Sequence, residues 1–219
     1  MSRREPYPLR LWAYRAGLNT MGALISLRVP LDVGHPEPVP SDPCLIVSNH
    51  ASHFDPALLG LGFKKPVRFL AKEELFRGPV GVAMRLWGQI PVRRATGIGR
   101  SGAILEARKV LAAGWDVGLF VEGTRSRDGV FRRESCRTGA ATIAHLAKAT
   151  VLPAGVSGTH RAFPAGARFP RPHPVSVRFG PPVDTAEFFS GPLGRETAHK
   201  FTLILAAAIA NLLDPLQLP

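Results

Sequence analysis

Short, strongly apolar runs alternate along this chain with stretches of helical periodicity, and that alternation restricts the fold more than any other feature. Cys44-Leu45-Ile46-Val47, Val67–Ala71, Gln89–Val92, Val117–Val121, Val151–Val156 and Val175–Phe179 each read as a short buried strand. Between and after them, residues from Asp55, 78–87, Ile98–Ala113, Thr138–Lys148 and 195–213 read as helices. Pro56 suits the first turn of one helix, and Gly114 follows the end of another. Alternation of this kind gives an α/β domain with a mostly parallel or mixed central sheet flanked by helices. The stretch Pro30–Pro43 holds five prolines and reads as a loop.

Upstream of that loop, residues 7–28 read as an amphipathic helical segment. Trp12, Tyr14 and several arginines suit a membrane interface, where rings lie at headgroup level and cations meet lipid phosphate. The organisation expected is therefore a membrane-interface segment over 1–30 and one domain over 31–219. No uninterrupted run of roughly 20 apolar residues is present, so no spanning helix is expected. No secretory signal is evident either.

A formal charge of +12 selects anionic partners: nucleic acid, a phospholipid surface or a phosphorylated substrate. Nucleic acid is disfavoured, because the aromatics are mostly Phe inside apolar runs rather than interleaved with exposed basic residues. Cys44 and Cys136 are too few for a disulfide framework or a Cys-ligated zinc site, and they read as unpaired thiols.

Two strands end in chemically suggestive loops. The first ends at Ser48-Asn49-His50 and is followed by Asp55 at a helix start. A turn between them brings the carboxylate to one imidazole nitrogen and leaves the other facing the cleft, which is the arrangement of an oriented general base. In isolation the same residues serve equally well as a helix cap and a turn residue. His53 is the nearer competitor and reads as a surface residue or a lid. The second loop is Glu122-Gly123-Thr124-Arg125, with a guanidinium fork suited to phosphate and a glycine that allows close backbone approach. Glu122 cannot favour a phosphate; it holds Arg125 or meets a hydroxyl.

Gly97-Ile98-Gly99-Arg100-Ser101-Gly102 matches the dinucleotide fingerprint. Arg93–Thr96 separate it from the preceding strand, where a tight turn is needed, and that strand is short and contains Pro91.

Asn49-His50-x-Ser52-x-x-Asp55 resembles the first motif of the glycerolipid acyltransferases, the group that includes 1-acylglycerol-3-phosphate acyltransferase. Gly88–Arg94 resembles the second motif, Phe120–Ser126 the third and Val151–Val156 the fourth, in family order. The resemblance implies His50 as the base for an acceptor hydroxyl and Asp55 as its orienting partner. It implies an acceptor-phosphate site of Arg94, Glu122, Gly123, Thr124 and Arg125, with Pro153 shaping an acyl pocket. It further implies acyl-CoA or acyl carrier protein as donor, no metal or other cofactor, a lysophospholipid acceptor, and a peripheral or monotopic place on the cytoplasmic side of the cell membrane. Arg93 and Arg94 are adjacent in a strand-like context and should not both face the ligand. Arg137 stands where the family carries Lys; it keeps the charge on a bulkier head, and its role stays open.

Overall fold

The computed structural model describes residues 10–92, 97–164, 167 and 169–217. The elements run α1 (Leu11–Ser26), β1 (Leu31–Val33), β2 (Cys44–Ser48), α2 (Asp55–Phe63), β3 (Val67–Lys72), α3 (Gly78–Leu86), β4 (Ile90–Val92), α4 (Gly97–Ala112), β5 (Asp116–Phe120), α5 (Gly139–Ala147), β6 (Thr150–Ser157), α6 (Thr159–Ala162), β7 (Val175–Phe179), α7 (Ala186–Phe189) and α8 (Arg195–Ala210).

Among the described residues the strands form one sheet in the order β1-β7-β6-β2-β5-β3-β4. The five strands from β6 to β4 are mutually parallel. β7 runs antiparallel to β6, and β1 runs alongside β7. The sheet is thus mixed, with a parallel centre. β1 falls inside the proline-rich stretch that the sequence assigns to a loop. Three residues are too few for a periodic signal, and they become a strand only by pairing Leu31–Val33 with Val175–Val177. The short helices α6 and α7 likewise carry no readable period.

β2 lies at the centre, and all five of its residues are buried. That explains its unbroken apolar run, since a central parallel strand is covered on both faces. Leu45 and Val47 point into one core with Val117, Ile143, Phe201 and Leu205, beneath α4, α5 and α8. Ile46 points the other way, to Leu58, Leu59, Phe63 and Leu152 under α2.

α1 belongs to that second layer. Tyr14, Leu18 and Ile25 are buried along one side of it. The Tyr14 hydroxyl accepts a hydrogen bond from the Val67 amide at 3.1 Å, which ties the helix to the start of β3. Burial pushes the Tyr14 phenol up to about 12, so it remains a neutral structural group. No helix among the described residues is long and apolar enough to cross a membrane.

Candidate active site

Because the central strands are parallel, their carboxyl ends open on one edge of the sheet, the place where ligands collect in such folds. β2 and β5 are direct neighbours there, with Ser48 opposite Phe120. The chain leaving β2 carries Asn49–Asp55, and the chain leaving β5 carries Val121–Arg125. Residues 72 positions apart in sequence therefore meet.

Asn49 fixes the departure of the first loop. Its side chain donates to the Val156 carbonyl at 2.9 Å and accepts from the Val156 amide at 2.9 Å, so it continues the β2–β6 ladder beyond the last strand residue. All these groups are buried. Asn49→Ala orphans both backbone groups and is expected to cost roughly 2–4 kcal/mol, visible as a lower urea midpoint at unchanged slope.

Asp55 is fully buried and gathers the loop around one oxygen. Its Oδ2 accepts from the Ala51 amide at 2.7 Å, from the Ser52 amide at 2.8 Å and from His50 Nδ1 at 2.8 Å. It is not a cap for α2, since its partners lie upstream and no side chain caps that helix. The contact assigns the imidazole proton to Nδ1 and leaves Nε2 with its lone pair. Beneath the imidazole lies Phe120, stacked at 3.8 Å between ring centroids, and Phe69 continues the stack at 5.5 Å. The ring is thus held at its edge by a carboxylate and on its face by an aromatic.

Glu122 is buried but does not pair with Arg125. Its Oε2 accepts from the His50 amide at 3.1 Å, and its Oε1 accepts from the Ser135 hydroxyl at 3.3 Å. Burial pushes its carboxyl up, while these two donors pull it back. The Ser126 amide closes the connection by donating to the His50 carbonyl at 2.8 Å. Gly123 has φ +68, and a Cβ there would lie 3.2 Å from Arg137 Cδ, so the tight bend needs glycine and packs against Arg137. Arg137 is thereby placed on the loop, a position its spacing in sequence left open.

Thr124 and Arg125 are exposed at the loop tip. Arg125 borders two cavities. One, of about 330 Å³, is rimmed by Arg125, Arg127, His53 and His160 over the stacked Phe54–Phe163 pair. The other, of about 290 Å³, adds Thr124, Glu122 and Arg132. Partial burial, and after it the Arg125 guanidinium, push the His53 imidazole below its ordinary value.

Of the two remaining expected site residues, only Pro153 is described. Pro153 lies mid-strand in β6, opposite Val47, and lines neither cavity. Its ring is on the α8 side, beside Gly180 and Leu212. Its carbonyl accepts from the Gly180 amide, so the missing N–H faces the same way, just past the end of β7 where no ladder partner is required. Arg94, with Arg93, lies outside the described residues. The glycine fingerprint fares poorly: Gly97 is already the first residue of α4, so no glycine turn joins strand to helix. Among the described residues, no group of three or more His, Cys, Asp or Glu is placed to hold a metal ion.

Sequence reasoning missed Phe120, Ser135 and the clamp formed by Asn49. Only Phe120 had a signal, as the aromatic residue near the end of the apolar run before the second loop.

Residues 30–157 match the Acyltransferase family. The chain is 35% identical over 131 residues to the chloroplastic 1-acyl-sn-glycerol-3-phosphate acyltransferase LPAT1 of Arabidopsis thaliana, covering 59% of this chain and 36% of that one. It thus spans little more than a third of that relative's length. A protein of Bacillus subtilis named 1-acyl-sn-glycerol-3-phosphate acyltransferase is 29% identical over 178 residues, covering 80% of this chain and 84% of that one. The crystal structure of the 1-acyl-sn-glycerophosphate (LPA) acyltransferase PlsC from Thermotoga maritima superposes with a TM-score of 0.70 at 26% identity, covering 96% of this chain and 84% of that one. The family match spans more than half of the sequence and encloses both the His50–Asp55 pair and the loop that carries Arg125: the chain belongs to the acyltransferase family.

Proposed function

We propose that this protein transfers a fatty acyl group from acyl-CoA or acyl carrier protein to the free hydroxyl of lysophosphatidic acid, forming phosphatidic acid in phospholipid biosynthesis. The observation that carries the reading is an imidazole whose Nδ1 is fixed on a buried carboxylate while Nε2 stays free, beside a loop that exposes Arg125. The names of the relatives point to the same acceptor.

The reaction follows from the geometry. His50 Nε2 takes the proton of the acceptor hydroxyl as that oxygen attacks the thioester carbonyl. The imidazolium that forms is stabilised by Asp55. As the tetrahedral adduct collapses, the carbon–sulfur bond breaks and the thiolate leaves with the proton returned by His50. An acyl-enzyme is not needed, and the nearby serine hydroxyls and cysteine thiols are poorly placed to form one. The Ser52 hydroxyl is buried and donates to the Phe163 carbonyl. The Ser126 hydroxyl is held by Asp128 and Val130. Burial pushes the Cys136 thiol up to about 12 and Cys44 higher still. The chain's own residues supply this chemistry with no metal or other cofactor, the thioester being a co-substrate.

The acceptor is amphiphilic, and a charge of +12 suits an anionic lipid surface. Trp12, 73% exposed on α1, offers an interfacial anchor. The reading is therefore of a peripheral or monotopic protein, and the family resemblance puts it on the cytoplasmic side of the cell membrane.

A matrix of acyl-CoA and acyl carrier protein donors against lysophosphatidic acid, glycerol 3-phosphate and lyso-ornithine lipid, read by mass spectrometry, tests the assignment. Phosphatidic acid is the expected product; acylation of only the other acceptors overturns it. Within that assay, Arg125→Ala should lower kcat/KM for lysophosphatidic acid roughly 10- to 150-fold, the worth of a charge-assisted contact. An effect confined to the donor KM would remove Arg125 from the acceptor phosphate.

A further inference from the structure

Among the described residues, α3 is an apolar helix with little to pack on. It reads Gly-Pro-Val-Gly-Val-Ala-Met-Arg-Leu, and of its nine residues only Gly81 is buried, pressed against the Phe76 backbone. Val80 is 56% exposed, Val82 50% and Leu86 38%, with Leu75 in the preceding turn at 40%. Single exposed aliphatics are ordinary, but four within twelve residues form a patch that calls for a partner. A helix apolar around most of its circumference is normally a covered one.

The surroundings say which partner. The Arg10 amide donates to the Leu86 carbonyl at 3.0 Å, and Gly17 closes onto Trp87, where a Cβ would come within 2.5 Å of the indole. The end of α3 is therefore joined to the start of α1, and its apolar surface continues into the exposed Leu11 and Trp12. Exposed arginines border this surface: Arg10 and Arg15 on the α1 side, Arg77 and Arg85 on the α3 side. α3 itself carries no acidic residue, and Glu73 and Glu74 lie in the turn before it. An apolar surface edged with guanidinium groups matches an anionic phospholipid monolayer, with aliphatic side chains at the acyl boundary and cations at the phosphates. The turn before α3 leaves the carboxyl end of β3, which opens on the same sheet edge as His50.

We propose that α3 and the turn before it form a second membrane-contact element, lying in an anionic lipid surface beside α1. The proposal rests on the lipid-acceptor reading above, and it places the entrance of the catalytic edge against the bilayer.

The test compares the wild-type chain, the double variant Val80→Asp/Val82→Asp and Trp12→Ala. Each is measured for cosedimentation with phosphatidylcholine vesicles containing phosphatidylglycerol, and for turnover of a short-chain lysophosphatidic acid dispersed in detergent. Both valines are half exposed, so the double variant should fold; Val80→Gln/Val82→Gln repeats the measurement without added charge. The expected result is at least about a tenfold loss of vesicle partition for both valine variants, with detergent turnover within about twofold of wild type. Unchanged vesicle binding in both valine variants, while Trp12→Ala loses it, overturns the proposal and leaves α1 as the sole contact. Conversion of a wild-type dimer into a monomer at unchanged vesicle binding also overturns it, because a second copy then covers α3. Absence of wild-type turnover in detergent would count against the acyl-transfer reading instead and leaves the vesicle measurement interpretable.

Discussion

His50→Ala is expected to lower kcat for acyl transfer by about 10²–10⁴-fold, the usual loss when a positioned general base is removed. The proton on the attacking hydroxyl would then have no acceptor but water. The fold should survive, because the imidazole is held by one hydrogen bond and one stacked face rather than enclosed in the core; its side chain is 16% exposed. Steady-state kinetics on a variant with an unchanged thermal melt provide the measurement. A well-folded His50→Ala protein that turns over near the wild-type rate would refute the assignment of the base.

Asp55 separates rate from stability. Asp55→Asn retains an oxygen able to accept from Ala51, Ser52 and His50, and its amide occupies the place of Oδ1, which has no hydrogen-bond partner. The negative charge that stabilises the imidazolium is lost. A fall in kcat of about 10²–10⁴-fold is expected with a modest change in melting temperature. Asp55→Ala instead strands two buried amides and an imidazole, and should cost roughly 3–5 kcal/mol of stability. If Asp55→Asn were as unstable as Asp55→Ala, the carboxylate charge would be serving the loop more than the base. If both were stable and active, its role in orienting His50 would fall.

Much of this was legible in the sequence because local signals and global structure agree. Cys44–Val47 and Val151–Val156 are unbroken apolar runs because both their faces are covered, and helix ends followed Pro56 and Gly114. The His50–Asp55 contact was readable because the four residues between them leave few ways to arrange the pair. Strand direction was not readable in the same way. β7 runs antiparallel because of its pairing with β6, and β1 exists only because Leu31 meets Val175 across the chain. The task of Glu122 was hidden for a similar reason. Its chief partner is a backbone amide on another loop, and backbone partners leave no trace in residue identity. The side to which Pro153 turns was not readable, because its neighbours in sequence alternate between faces, and only the structure shows its ring on the α8 side.

The link between Glu122, the His50 amide and the Ser126 amide has a dynamic consequence. Three hydrogen-bonded points along two loops cannot fluctuate independently. His50 and the loop that exposes Arg125 therefore form one opening unit rather than two. Order at His50 and order around Arg125 rise and fall together, so a ligand that quiets one loop also quiets the other.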